Sequence, residues 1–298
     1  MTSAIVILNY NSSSVTIRYL KELTAQKEYD HIVVVDNASK QEDAAVLSRY
    51  CEENSLIFLA EKENKGYSAG NNTGARYAVN ELKADIIFIS NPDIICPQET
   101  IRKIKSVFLE KKEAAVVTGL VHVFDKERKP SPYRYFAYKA PTYSDMVLNN
   151  LYLCTKLRMK TSKYSMYFDV NEVIKKKIIQ AECVSGCFFA MKSSVYQEMN
   201  GFDEDTFLYY EEAILGYRIK QAGYSVYVID APVYHDEDPG KRSTVGKLWR
   251  THKITQNSAR VYLSKYLKVK GWKMALYNFS SYVHFGEQVV LNRIAMLK

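Results

Sequence analysis

Cysteine is scarce, and its count is odd. The chain has five, Cys51, Cys96, Cys154, Cys183 and Cys187, with no CxxC pair. That indicates neither a disulfide framework nor a zinc site, and it fits a reducing cytoplasm. No apolar run approaches the ~20 residues that span a bilayer. The start, MTSAIVILNYN, lacks the basic residues, apolar stretch and cleavage site of a signal peptide. No GxGxxG follows the first apolar run and no GxxxxGK[ST] occurs, which excludes a dinucleotide fingerprint there and a P-loop. Internal repeats, low-complexity tracts and obvious linkers are absent as well.

Acid is what the end of the chain lacks. Residues 241–298 carry twelve Lys and Arg against one acid, Glu287. Of the net charge of +8, this segment holds +11 and residues 1–240 hold −3. A nucleic-acid enzyme is more usually basic along its main groove, so no nucleic-acid partner is expected. The tail mixes Trp272, Phe279 and Phe285 with Lys265, Lys268, Lys270 and Lys273. Two readings fit it. One is a helix lying on an anionic membrane, giving peripheral contact at the inner face of the plasma membrane. The other is an amphipathic helix packed on the body or on a second subunit of a homodimer.

What is present is an ordinary globular composition, 47% hydrophobic and 25% charged over 298 residues. That is enough for one large domain or two small ones. Tyrosine is abundant, at 24 residues. Carbohydrate sites often use such rings, but most buried tyrosines simply pack with the hydroxyl bonded.

Apolar runs at 4–8, 31–35, 56–60, 85–90 and 114–119 read as strands, with helices predicted after the first four. That alternation implies an α/β, doubly wound, mostly parallel sheet. Residues 64–72 are expected as a loop. Residues 120–180 show no clean periodicity and are expected as hairpins, short helices and mobile loops. Sheet character resumes at 183–191, and helices are expected at 193–199, 211–222 and from 245 onward, with another strand at 225–229.

The most informative stretch is Ile86 to Cys96, where a run of β-formers stops at Ser90-Asn91-Pro92-Asp93. Ligands of open α/β sheets sit at the carboxyl edge of the strands. Asn9 and Asn11, Asp36 and Asn37, Asn91 and Asp93, and His235 all fall at such ends. Asn and Asp also favour these positions as plain turn residues, so four ends together, rather than any one, argue for a ligand site. Gly66 and Gly70 either let backbone approach a nucleotide or mark a helix entry.

The ordered set LNYN, VVDNAS, ENKGYSAGNN, SNPD, SGCFFAMK, GFDEDTFLYYEEAILGYR and a late His resembles family 2 inverting glycosyltransferases, in their rhamnosyltransferase-like branch. It covers about residues 3 to 262. The resemblance implies a GT-A fold, with a nucleotide-binding half at about 1–119, a variable acceptor and catalytic half at about 120–262, and a helical tail at 263–298. It implies transfer from a dTDP- or UDP-linked sugar to a saccharide or lipid-linked saccharide acceptor, in surface polysaccharide synthesis. By position, Asp36 resembles the acid that reads the base, with Asn9, Asn64 and Asn71 about the nucleotide. Asp93 matches the last acid of a DxD-type motif whose first acid is here Asn91. With His235 it would hold Mg²⁺ or Mn²⁺. Glu211-Glu212 replaces the usual Glu-Asp, making Glu212 the base. Ile214 stands where the family has a further acid. Arg218 is expected to pair with an acid or a phosphate, and Lys241, Arg242 and Ser243 resemble a loop over the diphosphate. A sugar nucleotidyltransferase would open on a glycine- and arginine-rich loop, which LNYNSSSV lacks. A non-catalytic nucleotide-sugar-binding protein draws its support from Asn91 and Ile214.

Overall fold

A computed structural model describes residues 1–125, 127–151, 154–155, 166–236 and 244–296. The predicted alternation holds in the first half. β1 (Ser3–Asn9), α1 (Ser13–Gln26), β2 (His31–Asp36), α2 (Gln41–Glu53), β3 (Ile57–Ala60), α3 (Tyr67–Asn80) and β4 (Ile86–Ser90) follow one another. These four strands pair in parallel, in the order β3-β2-β1-β4. Their near-continuous apolar sequences suit a sheet covered on both faces. Residues 4–7, 33–35 and 86–89 are all buried.

Beyond β4 come β5 (Ile94–Ile95), α4 (Gln98–Glu110) and β6 (Ala114–Phe124). Then follow β7 (Pro130–Pro132), β8 (Ala137–Tyr138), α5 (Tyr143–Asn149), α6 (Val170–Lys176) and β9 (Ile178–Ala181). These short pieces match the weak periodicity of 120–180. The sheet character expected at 183–191 is carried by two strands. β10 (Cys183–Val184) pairs with β8, and β11 (Phe188–Lys192) inserts antiparallel between β4 and β6. Between them, the Ser185–Cys187 turn faces the helix that carries the acidic pair. α7 (Ser193–Glu198), α8 (Glu211–Gln221) and β12 (Ser225–His235) complete the sheet, with β12 parallel to β6 and antiparallel to β5 and β9. Its far end, Tyr234 and His235, lies in register with Ile95 and Ile94, just past Asp93.

The loop expected at 64–72 is shorter, because α3 begins at Tyr67. Gly70 sits inside its first turn, where a Cβ would lie 2.5 Å from Leu8 Cδ1. This glycine lets the helix pack closely on the strand.

The tail is two packed helices joined by a π-turn (Tyr262–Tyr266): α9 (Val245–Val261) and α10 (Trp272–Met296). Tyr262, Leu263, Val269 and Tyr277 form a second small core with Met146, Ala213 and Ile214. The start of the tail is therefore built into the body, and the boundary expected at 262 crosses a buried cluster. No helix of the described residues is long and apolar enough to cross a membrane.

Candidate active site

The polar strand ends do converge, but several of them are occupied with one another. Asn9 is fully buried, and its Nδ2 donates to Asp36 Oδ1 at 2.8 Å and to Asp43 Oδ2 at 3.0 Å. Its Oδ1 accepts from Thr16 Oγ1 at 2.7 Å and Ser12 Oγ at 3.0 Å. Asp36 Oδ2 accepts the Ser39 N–H at 3.0 Å. Asn11 takes a left-handed backbone, φ 53°, donates its N–H to Ser39 Oγ and accepts the Lys40 N–H. These side chains brace β1 against the loop after β2. Asp43, which the sequence reading passed over, completes the brace. Burial pushes its carboxyl up, but hydrogen bonds from Ser13 and Asn9 outweigh that and hold it below the usual range.

One layer outward, Asn37 Nδ2 donates to Asn64 Oδ1 at 3.1 Å and to the Gly66 carbonyl at 3.2 Å. Asn71 Nδ2 donates to the Tyr67 carbonyl. Asn37 Oδ1 and Asn71 Oδ1 are buried and accept no hydrogen bond from the described residues. Gly66 has φ +103°, where a side chain is strained, and a Cβ there would meet the Phe207 carbonyl oxygen at 2.2 Å. This glycine thus clamps the 64–67 loop onto the segment that precedes α8.

At the next strand end, the Asn91 N–H donates to the Cys187 carbonyl at 2.8 Å. His235 Nε2 stands 3.2 Å from Asp93 Oδ1, and the Asp236 N–H donates to the Asp93 carbonyl at 2.8 Å. Asp93 Oδ1 is buried yet accepts no well-aligned hydrogen bond. A buried carboxylate oxygen without such a donor is costly, and beside an imidazole it is suited to a cation. Among the described residues, no group of three or more His, Cys, Asp and Glu is close enough to hold a metal ion. Asp93 and His235 would therefore supply two ligands, with the rest coming from substrate and water, as Mg²⁺ usually accepts.

The acidic pair opens α8 after a strained turn. Tyr209 and Tyr210 are consecutive non-glycine residues at φ 72° and 67°. Such conformations persist only where the surroundings enforce them, and they cluster at functional sites. Here the Leu208 carbonyl accepts from Ser258 Oγ at 2.8 Å, and the Phe207 carbonyl accepts the Tyr67 N–H at 2.8 Å. Glu212 Oε1 accepts the Gly186 N–H at 3.1 Å. Glu211 Oε2 is buried and has no hydrogen-bond partner among the described residues. Burial, and then the charge of Glu212, push Glu211 up to about 8. Burial also raises Glu212. The helix N-terminus favours the carboxylate form, but here desolvation wins. A carboxyl held near operating pH is a stronger proton acceptor than an ordinary one.

Glu212 lies in the wall of a cavity of about 320 Å³ that Tyr135, Tyr138, Tyr167, Tyr209 and Tyr210 also line. Five of the 24 tyrosines meet here. Ile214, in place of the family's further acid, is 1% exposed and packs in the second core. A carboxylate there would be buried among apolar groups. Among the described residues, Arg218 forms no ion pair with an acid. Its guanidinium donates to the Gly201 and Met199 carbonyls and ties α8 to the turn that follows α7. Arg242, with Lys241 and Ser243, lies outside the described residues.

Residues 4–197 match the profile of glycosyl transferase family 2. The chain belongs to that family. Among curated relatives, it is 23% identical to the low-salt glycan biosynthesis hexosyltransferase Agl10 of Haloferax volcanii, over 76% of this chain and 66% of that one. It is 25% identical to the rhamnosyltransferase WbbL of Escherichia coli, over 83% of this chain and 88% of that one. The O-antigen chain rhamnosyltransferase RfbN of Salmonella typhimurium is also 25% identical, over 80% and 67%. The chain thus spans about two thirds of two of these relatives and most of the third.

Two solved structures share the fold, and the sheet described above is of GT-A type. GalNAc-T7 with UDP, GalNAc and Mn²⁺ has a TM-score of 0.64 at 15% identity, over 88% of this chain and 47% of that one. The mannosyltransferase PcManGT of Pyrobaculum calidifontis, with GDP-Man and Mn²⁺, has a TM-score of 0.54 at 15% identity, over 99% and 80%. The family 2 assignment disfavours the nucleotidyltransferase and scaffold readings.

Proposed function

We propose that this family 2 protein is an inverting glycosyltransferase that moves a sugar from a dTDP- or UDP-linked donor to a saccharide or lipid-linked saccharide acceptor. The observation that carries the reading is Glu212, a buried carboxyl with a raised proton affinity in the wall of a tyrosine-lined cavity. The acceptor sugar stacks on those rings. Its hydroxyl gives its proton to Glu212 as the oxygen forms the new bond to the anomeric carbon. The bond from that carbon to the diphosphate oxygen breaks on the opposite face, and the nucleoside diphosphate leaves with the electron pair. Asp93 and His235 would hold Mg²⁺ or Mn²⁺, which supplies charge neutralisation on the departing diphosphate. The pairing of Asp93 Oδ1 with His235 Nε2 at 3.2 Å supports that assignment, as does the Mn²⁺ in the two GT-A neighbours.

The test is release of nucleoside diphosphate from dTDP-rhamnose and UDP-glucose, with Mn²⁺ and a panel of saccharide acceptors. General-base help is worth about 10²–10⁴-fold. Glu212→Gln should therefore keep thermal stabilisation by the nucleoside diphosphate and lose turnover by that order. Near-native turnover in this variant would remove the base from the scheme.

The far end of the chain supports peripheral membrane contact. Trp272, Phe279 and Leu276 recur on one exposed face of α10, at 71%, 68% and 42%, and exposed Lys268, Lys270 and Lys273 lie at its start. Apolar and cationic groups together suit an anionic lipid surface. A second copy of so basic a segment would be repelled. Trp272→Ala with Phe279→Ala should abolish sedimentation with phosphatidylglycerol vesicles. Undiminished sedimentation would rule the face out.

A further inference from the structure

Tyr67 touches both segments that frame the acidic pair. Its N–H donates to the Phe207 carbonyl at 2.8 Å, ahead of the strained turn. Its hydroxyl donates to the Gly186 carbonyl at 2.6 Å, across 119 residues of sequence. Gly186 in turn donates its N–H to Glu212 Oε1 at 3.1 Å. A Cβ at position 186 would lie 2.5 Å from that same carboxylate oxygen and would push it aside. A glycine is also the residue least able to hold its own conformation. Its two flanking peptide planes hinge on a Cα without a Cβ. The carboxylate engages one plane, and an external contact can fix the other. The phenol of Tyr67 is that contact.

We propose that Tyr67 is a positioning residue, which pins the Gly186 peptide so that its N–H stays aimed at the Glu212 carboxylate. It thereby ties the Asn64–Tyr67 loop, on the donor side, to the readiness of the base. This rests on Glu212 being the base. The charged and titratable groups that face Glu212 are Glu211 on its own helix, Tyr67 on α3, Tyr138 on β8 and Cys183 on β10. All four are neutral or negative, so the ionised form is favoured by backbone N–H groups, Glu212's own and then that of Gly186, and losing the Gly186 N–H raises proton affinity.

The first measurement needs no substrate. Carbon-13 titration of the Glu212 carboxyl, assigned by its loss in Glu212→Gln, should move up by about one pH unit in Tyr67→Phe. The second is the pH profile of dTDP-rhamnose or UDP-glucose turnover. In Tyr67→Phe, the acid limb of kcat should move up by about one pH unit, so that kcat on that limb falls about tenfold, with donor KM within about twofold. Gly186→Ala strikes the same link from the other side and should lose turnover while keeping nucleotide binding. An unmoved Glu212 titration in Tyr67→Phe, or wild-type turnover in Gly186→Ala, overturns the proposal while leaving the base reading intact. Near-native turnover in Glu212→Gln overturns the base reading instead.

Discussion

Replacing Glu211 by glutamine should make the protein more stable, and increasingly so as the pH rises. Glu211 is pushed up to about 8 from 4.5, first by burial and then by Glu212. Its folded-state proton affinity thus exceeds its unfolded one. Between those values the folded chain binds more protons than the unfolded chain, so stability falls as pH rises from about 4.5 through about 8. At ~1.36 kcal/mol per unit, the full shift corresponds to a ceiling of about 5 kcal/mol. Glu212 shares the burial and the proton, so about 2 kcal/mol is the expected share between pH 6 and 9. For a chain of this size that is a Tm change of about 4 °C. The assay is thermal unfolding of parent and Glu211→Gln at both pH values. Carboxylates titrating below pH 5 cancel in the difference between the two proteins. The Tm gap should widen by about 4 °C from pH 6 to 9. A constant gap would show that Glu211 is an ordinary, solvated carboxyl and that the pair is not desolvated.

Three further outcomes follow from other contacts. Asp93→Asn should abolish Mn²⁺-dependent turnover, and chelator should do the same to the parent, while thermal stability without nucleotide changes little; full activity in excess chelator would contradict the cation assignment. Asn72 Oδ1 accepts from Tyr196 OH and the Phe202 N–H, while its Nδ2 donates to the Phe202 carbonyl and Glu204. Asn72→Ala should therefore cost about 2–4 kcal/mol in denaturant unfolding, and a loss under 1 kcal/mol would argue against that network. Gly66→Ala forces a Cβ toward the Phe207 carbonyl at φ +103°. It should cost about 1–3 kcal/mol and lower kcat through the displaced 207–210 turn, and an unaltered melt would contradict the clamp.

Much of the fold was legible in the chain. Continuous apolar runs ending in polar residues gave the parallel strands, because a strand covered on both faces has few positions left for charge. The edge that carries the site followed from the same pattern, since β1, β2, β4 and β12 end at Asn9, Asp36, Ser90 and His235. The acidic pair and SNPD were visible because they are local. The roles of Asn9, Asn11 and Arg218 were not. Local sequence marks a residue as polar and near an edge, but not whether its bonds are spent on protein. The extent of the tail was likewise hidden, because Tyr262 and Tyr277 are buried by helices that precede them by tens of residues.

By itself, the sequence determined which backbone segments are strands and helices, and which polar side chains stand at strand ends. Periodicity and turn chemistry are properties of neighbouring residues. Only the tertiary structure decided that Tyr67, Gly186 and Glu212 meet, that five tyrosines ring one cavity, and that burial rather than the helix end sets the proton affinity of the pair. Those outcomes depend on desolvation and on contacts between residues more than a hundred positions apart, which no local pattern encodes.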